Sequence, residues 1–291
     1  MASLAQVMLS GLQVGCIYAL MALSFFIILS ATGILNFAQG EWMMISGVIG
    51  VTLLGFGVPY ALAILGSVAG AAVLSALSER LIIRQLQRRN APQAITLLAL
   101  FGIMLVARYG TGRLHGRLDD PLPAPFGTGV IFLTRDIFVF RQTLLIYAAT
   151  ALLFGLVVLF LRRTWLGRSL RVAAIDPLAA SLAGVNLDTV RLTAFAVGGL
   201  IAGCVAWLYA PLYAVGYMTG AIPGIKGFIA LFVGGMISPA GPLLGGLLLG
   251  VLEVSASRYL PSVYAQGIAF ALLMLVLVVR PRGLLGSGST Q

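Results

Sequence analysis

Apolar residues run along this chain in long stretches, at 4–31, 43–57, 59–78, 94–107, 142–161, 193–213, 240–257 and 262–279. A backbone in hydrocarbon must satisfy its own amides and carbonyls, so uncharged runs of about 20 residues predict spanning helices. A further stretch, 227–237, would make a helix of roughly 16 Å; it reads either as half of a broken helix or as a short crossing paired with 240–257. The pattern predicts an all-α fold: a polytopic transmembrane helix bundle of about 8–9 membrane segments, forming one transmembrane domain over residues 1–291.

Polar positions fall between these runs in a few places. The segment Asn36-Phe37-Ala38-Gln39-Gly40-Glu41 sets three hydrogen-bonding side chains beside a glycine. Such a break can line a substrate cavity with polar groups and free backbone, or it can be an ordinary interhelical turn. Residues 108–141 form a long external loop with a Pro-rich piece, followed by β-prone runs at 129–133 and 137–140 about a turn at Thr134-Arg135-Asp136, which predicts a small hairpin. In 162–191, Asp176 before Pro177 marks a helix start and Gly184 a stop, which predicts a short helix over 177–183; Asp188 can cap the helix that follows. Bracketed by arginines, this element is of the kind a motor subunit can grip, and it reads equally as a surface connector.

Composition sharpens the membrane reading. Hydrophobic residues make up 60% of the chain and charged ones 9%, with a mean hydropathy of +1.06, far from the range of a water-soluble domain. No charge occurs before Glu41, and without a basic leader a cleavable signal peptide is not expected. The net charge of +10 does not mark a nucleic-acid surface, because the arginines cluster in short segments between apolar runs. Of the 18 basic residues, 11 fall in 79–93, 162–191 and the tail, which would share one side, while Arg108, Arg113, Arg117, Arg135, Arg141, Lys226 and Arg258 fall on the other. That split favours a cytoplasmic C-terminus and a cytoplasmic 162–191 segment.

The chemistry available is sparse. The single histidine, His115, lies in a charged loop, neither of the two cysteines suggests a disulfide or metal site, and the only lysine is not in a nucleotide-binding P-loop. An intramembrane enzyme therefore lacks its groups, no cofactor or metal is expected on this chain, and any ATP and Mg²⁺ would be used by another subunit. Within the membrane the ionisable candidates reduce to Glu41 and Glu253, each near the end of an apolar run, where it can serve an ion-coupled secondary transporter or snorkel to the interface. Glycines four apart, such as Gly11 and Gly15, Gly199 and Gly203, and Gly246 and Gly250, predict close helix packing.

Three stretches carry a resemblance: 11–47, with Gly15-x-x-Tyr18-Ala19-Leu20 and the 36–41 run; Gly167-Arg168-Ser169-Leu170-Arg171 through Ala179-Ala180 and Gly184-Val185-Asn186; and Lys226-Gly227-Phe228 through Gly234-Gly235, Gly245-Gly246, Gly250 and Glu253. The chain resembles the permeases of branched-chain amino-acid ABC importers, the shorter of their two homologous permease subunits. Two positions depart from the pattern. The Glu-Ala-Ala-x-x-x-Gly motif of such permeases reads Leu178-Ala179-Ala180-Ser181-Leu182-Ala183-Gly184 here, and Gln39 stands where many relatives carry His, so an imidazole role there does not carry over. The resemblance implies an inner-membrane, multi-pass subunit working with membrane lipid, a second permease, two ATPase subunits and a periplasmic substrate-binding protein. Asn36, Gln39, Glu41 and Glu253 would lie along the substrate pathway, and Gly167, Arg168, Arg171, Asp176, Ala179, Ala180 and Gly184 at the ATPase contact. The implied cargo is a branched-chain amino acid or a related small solute such as urea or an amide.

Overall fold

The computed structural model describes residues 4–116, 119–125, 127, 129–134, 137–259, 261–280 and 283–285; Arg117, Arg282 and the expected turn at Arg135-Asp136 lie outside the described residues. The apolar runs become helices: α1 (Leu4–Thr32), α2 (Gln39–Gly55), α3 (Tyr60–Ser78), α5 (Gln93–Leu114), α6 (Arg141–Arg163), α9 (Leu187–Tyr213), α10 (Ala221–Gly234), α11 (Ala240–Ser257) and α12 (Ser262–Val279). A π-helical turn at Glu79–Ile83 joins α3 to a short α4 (Arg84–Arg88), and the 162–191 segment contributes α7 (Trp165–Ile175) and α8 (Pro177–Leu182). Six helical stretches are long and apolar enough to cross a membrane. At 14 residues, α10 spans about 20 Å and falls short of the hydrocarbon thickness. The outward faces of α3, α5, α6 and α12 carry exposed Leu65, Leu98, Val106, Leu152 and Met274, a surface that suits lipid and not water.

Two compact units make up the chain. One comprises Met1–Phe26, Pro123–Phe154 and Ile225–Gln291; the other comprises Ile27–Leu122 and Gly155–Gly224. In the first, α1 meets α11 along small residues: a Cβ on Gly11 would lie 2.7 Å from Val251 Cα, and one on Gly250 would fall on the backbone of Gly15. Only glycine lets these backbones touch. The same unit holds a two-stranded antiparallel hairpin, β1 (Val130–Thr134) with β2 (Ile137–Phe140), where Val130 pairs with Phe140. Gln6 ties α1 to it by exchanging hydrogen bonds with the Phe138 backbone.

The second unit is built on α2, α3 and α9. Ser75 donates to the Phe195 carbonyl at 2.7 Å, Ser46 to that of Gly203 at 3.2 Å, and Trp207 donates its indole N–H to Ser67 at 2.8 Å. A Cβ on Gly199 would press on Ser75 and Ala71, which is why α3 and α9 can lie so close. Ile28, Ile34, Ile83, Leu100 and Phe195 close the core of this unit.

Three expectations change. The connection after α5 begins near His115 and not at 108, because the helix continues to Leu114. The helix after α2 continues through the π-turn to Arg88, well beyond 78. The cap of α9 is Asn186, whose Oδ1 accepts from Thr189 N at 3.2 Å, and not Asp188, which sits in the first turn with its carboxylate turned to Arg88.

Candidate functional site

The break between α1 and α2 brings Asn36, Gln39 and Glu41 together. Gly33 ends the first helix in a left-handed conformation, and residues 34–38 lead into α2. Asn36 Oδ1 accepts from Ala38 N at 3.1 Å, an Asx-type turn that fixes the entry. Its Nδ2 donates to Gln39 Oε1 at 3.2 Å, and Gln39 Nε2 donates to the Gly198 carbonyl of α9 at 2.7 Å. Asn36 and Gln39 are 1% and 0% exposed, so both amides are spent inside the unit. At Gly40 the first turn of α2 lies against the backbone of Gly220, and a side chain on either residue would collide with the other.

Glu41, 1% exposed, does not snorkel. It forms an ion pair with Arg108 of α5, whose Nε donates to Oε1 at 3.0 Å and whose terminal nitrogen converges on the same oxygen, leaving Oε2 buried without a hydrogen-bond partner. Arg108 lies about 22 Å along α5 from Gln93. It is a helix residue and not a loop charge. Four residues before Glu41 and seven before Arg108, the rings of Phe37 and Phe101 meet with centroids 4.8 Å apart, so the two elements are joined by an aromatic contact and an ion pair along one face.

Glu253 belongs to the other unit and has its own cation. Lys226 of α10 places Nζ 2.9 Å from Glu253 Oε1 of α11, an ion pair off hydrogen-bond alignment, with Glu253 Oε2 buried and unpartnered. Burying either charge alone would be costly, so each acid is stabilised by its base. The sequence reading missed both bases, counting Arg108 and Lys226 as topology charges. The signal that could have found them was their position next to apolar runs that each contain one acid.

The α7–α8 segment is built differently. Thr164 caps α7 by accepting from Gly167 N at 3.0 Å, and the turn after α6 is tight enough that a Cβ on Gly167 would strike Phe160 O. Asp176 Oδ1 accepts from Leu178 N at 2.8 Å and Ala179 N at 3.0 Å, with Pro177 in the first turn of α8. Gly184, at φ +85°, ends the turn, while Val185 N returns to the Ala180 carbonyl at 3.0 Å. Gly167 and Ala180 are buried; Arg168, Arg171, Asp176, Ala179 and Gly184 are exposed. Beside them stand three large apolar side chains, Ile175 at 86%, Leu178 at 70% and Leu182 at 82% exposure.

Among the described residues, no group of three or more His, Cys, Asp or Glu gathers that could hold a metal.

Comparison with known proteins matches residues 7–277 to the family described as the branched-chain amino acid transport system permease component. The chain is 31% identical to the high-affinity branched-chain amino acid transport system permease protein LivH of Escherichia coli over 97% of its length and 95% of that protein. It is 32% identical to the corresponding permease protein BraD of Pseudomonas aeruginosa, with the same coverage. Among solved structures, PsaBC from Streptococcus pneumoniae in complex with Fab superposes with a TM-score of 0.50 at 13% identity, covering 96% of this chain and 92% of that one, a likeness of fold. The apolar helices, their lipid-suited faces and this sequence match over nearly the whole length lead to one conclusion: the chain is a multi-pass membrane protein that belongs to the family of branched-chain amino-acid transport permeases.

Proposed function

We propose that this chain is a transmembrane permease subunit of an ATP-driven importer, forming part of the translocation pathway while separate subunits hydrolyse ATP. The observation that carries the coupling role is the α7–α8 segment. Capped at both ends and lying between arginines, it presents Ile175, Leu178 and Leu182 almost bare. Such a patch on a polar connector is a docking surface for a protein partner. Arg168 and Arg171 beside it suit an acidic groove on an ATPase subunit. On this reading 162–191 is cytoplasmic, and the charge bias supports that side, since Arg108 and Lys226 are helix-borne ion-pair partners and leave the opposing tally.

Movement of the ATPases would shift the bundle between outward and inward access, with the ATP-driven subunits biasing a two-state element. The 36–41 break, with Asn36, Gln39 and Glu41 at the start of α2, and the Glu253–Lys226 pair are the polar features assigned to the pathway. The cargo assigned is that named for the relatives, a branched-chain amino acid, or a related small amide or urea, delivered by a periplasmic binding protein. A second permease subunit and two ATPase subunits complete the complex in the inner membrane.

The ion-coupled alternative loses ground because Glu41 and Glu253 are each already neutralised by a base. The test is Gly184→Leu, which forces a left-handed residue to carry a side chain. In the assembled complex, uptake should collapse while ATP hydrolysis continues. Full uptake by this variant, or proton- or sodium-driven uptake by the chain alone, would overturn the proposal.

A further inference from the structure

The start of α9 is fastened by charge. Glu79, the first residue of the π-turn, is 0% exposed and takes two hydrogen bonds from Arg84, from Nε to Oε1 at 3.2 Å and from a terminal nitrogen to Oε2 at 2.9 Å. That same terminal nitrogen donates to the Asp188 carbonyl at 3.1 Å. Arg88 donates to Asp188 Oδ2 at 2.7 Å, and Arg191 stands 3.8 Å from Oδ1. The array runs from the buried end of α3, across α4, into the first turn of α9.

Its place in the chain gives it consequence. Between α8 and Asp188 there is no slack: Val185 N is held by Ala180 O, and Asn186 caps α9. Beyond Asp188, α9 stays locked to α3 through Ser75 and the close approach at Gly199. A push on α8 therefore reaches α9 along the chain, and at the entry to α9 the ionic joint ties that movement to α4 and the end of α3. Apolar side chains would fasten these helices at least as strongly, because desolvating a carboxylate and a guanidinium offsets much of their attraction. What a forked carboxylate–guanidinium pair adds is fixed direction and register. Glu79 continues the buried face of α3, four residues after Ser75 and eight after Ala71, and the π-turn, a feature common at functional sites in helices, begins at it.

We propose that the Glu79–Arg84–Asp188 lattice is the joint that carries movement of the α7–α8 segment from the start of α9 to α4 and the end of α3, which makes Glu79 and Arg84 positioning residues for ATP-coupled transport. This rests on the reading of α7–α8 as the ATPase contact.

The experiment uses the complex purified through a tag on this chain together with its ATPase subunits and reconstituted in liposomes, reading solute taken up per ATP hydrolysed. Three variants are compared: Glu79→Gln, the paired neutralisation Glu79→Gln with Arg84→Gln, and Gly184→Leu. The joint predicts that uptake per ATP falls at least about fivefold in the lattice variants, the lower end of ordinary coupling between sites, while the assembled complex still hydrolyses ATP. Should Glu79→Gln fail to assemble, the paired variant decides by the same ratio. An unchanged ratio, including proportional loss of uptake and hydrolysis, overturns the joint, as does failure of both lattice variants to assemble, which would make the lattice a folding element. An unchanged ratio in the lattice variants beside a collapsed one in Gly184→Leu sinks this inference alone; no effect in any variant sinks the ATPase-contact reading with it.

Discussion

The polar stretch at 36–41 and the polar stretch at 165–184 both interrupt apolar helices, and the fold treats them in opposite ways. The first closes on itself. Asn36 bonds Gln39, Gln39 bonds α9, and Glu41 takes Arg108. The second satisfies its backbone, through Thr164, Asp176 and the return at Gly184, and while it buries Leu170 it leaves Ile175, Leu178 and Leu182 outward. A buried polar group must find a partner inside the chain, whereas an exposed apolar one can wait for another molecule. The contrast separates a stretch whose polar groups are satisfied within this subunit from one whose apolar side chains are left for another molecule.

The largest break in that contrast comes from Arg108→Ala, which strands Glu41 as an unpaired buried charge and should destabilise by about 3–5 kcal/mol. Thermal unfolding in detergent measures it, and Glu41→Gln combined with Arg108→Gln should recover most of the loss. A wild-type melting temperature for Arg108→Ala would show that the pair does not close the stretch. Gln39→Leu comes next. It strips Asn36 Nδ2 of its acceptor and should lower stability by about 1–3 kcal/mol, with the shift appearing in the same melt. The smallest effect on folding belongs to Leu178→Ser with Leu182→Ser, whose melt should move by no more than about 0.5 kcal/mol. Binding of the ATPase subunits should nevertheless weaken by about tenfold or more, as expected when two exposed anchors of an interface are lost. Equal ATPase recovery with and without the two leucines would remove the docking surface.

Much of the fold was legible. The hydropathy runs located the helices, although α5, α9 and α10 each extend six or seven residues past one end of their runs, and the β-prone runs at 129–133 and 137–140 became β1 and β2. Asp176-Pro177 and Gly184 bounded α8 as read, because a cap and a left-handed stop are local chemistry. Two of the failures share a cause. α5 was ended at the first arginine and the helix of α3 at Glu79, since a charge reads as the edge of a span. In the fold these charges have partners that make their burial tolerable, so the helices run through them. The site was legible as a set of acids and amides, but not as pairs.

What the sequence determined by itself was the material of the protein: eight or nine apolar segments, a short capped helix among arginines, and the residues that match a permease family over nearly the whole chain. Tertiary structure alone decided that Arg108 answers Glu41 from 67 residues away. It likewise decided that Lys226 answers Glu253, and that Glu79, buried at the start of the π-turn, is linked to the start of α9 through Arg84 and the Asp188 carbonyl. Hydropathy and capping act over one or two turns of helix and are written in neighbouring residues. The partner of a buried charge is chosen by which helices pack together, and that is a property of the whole chain.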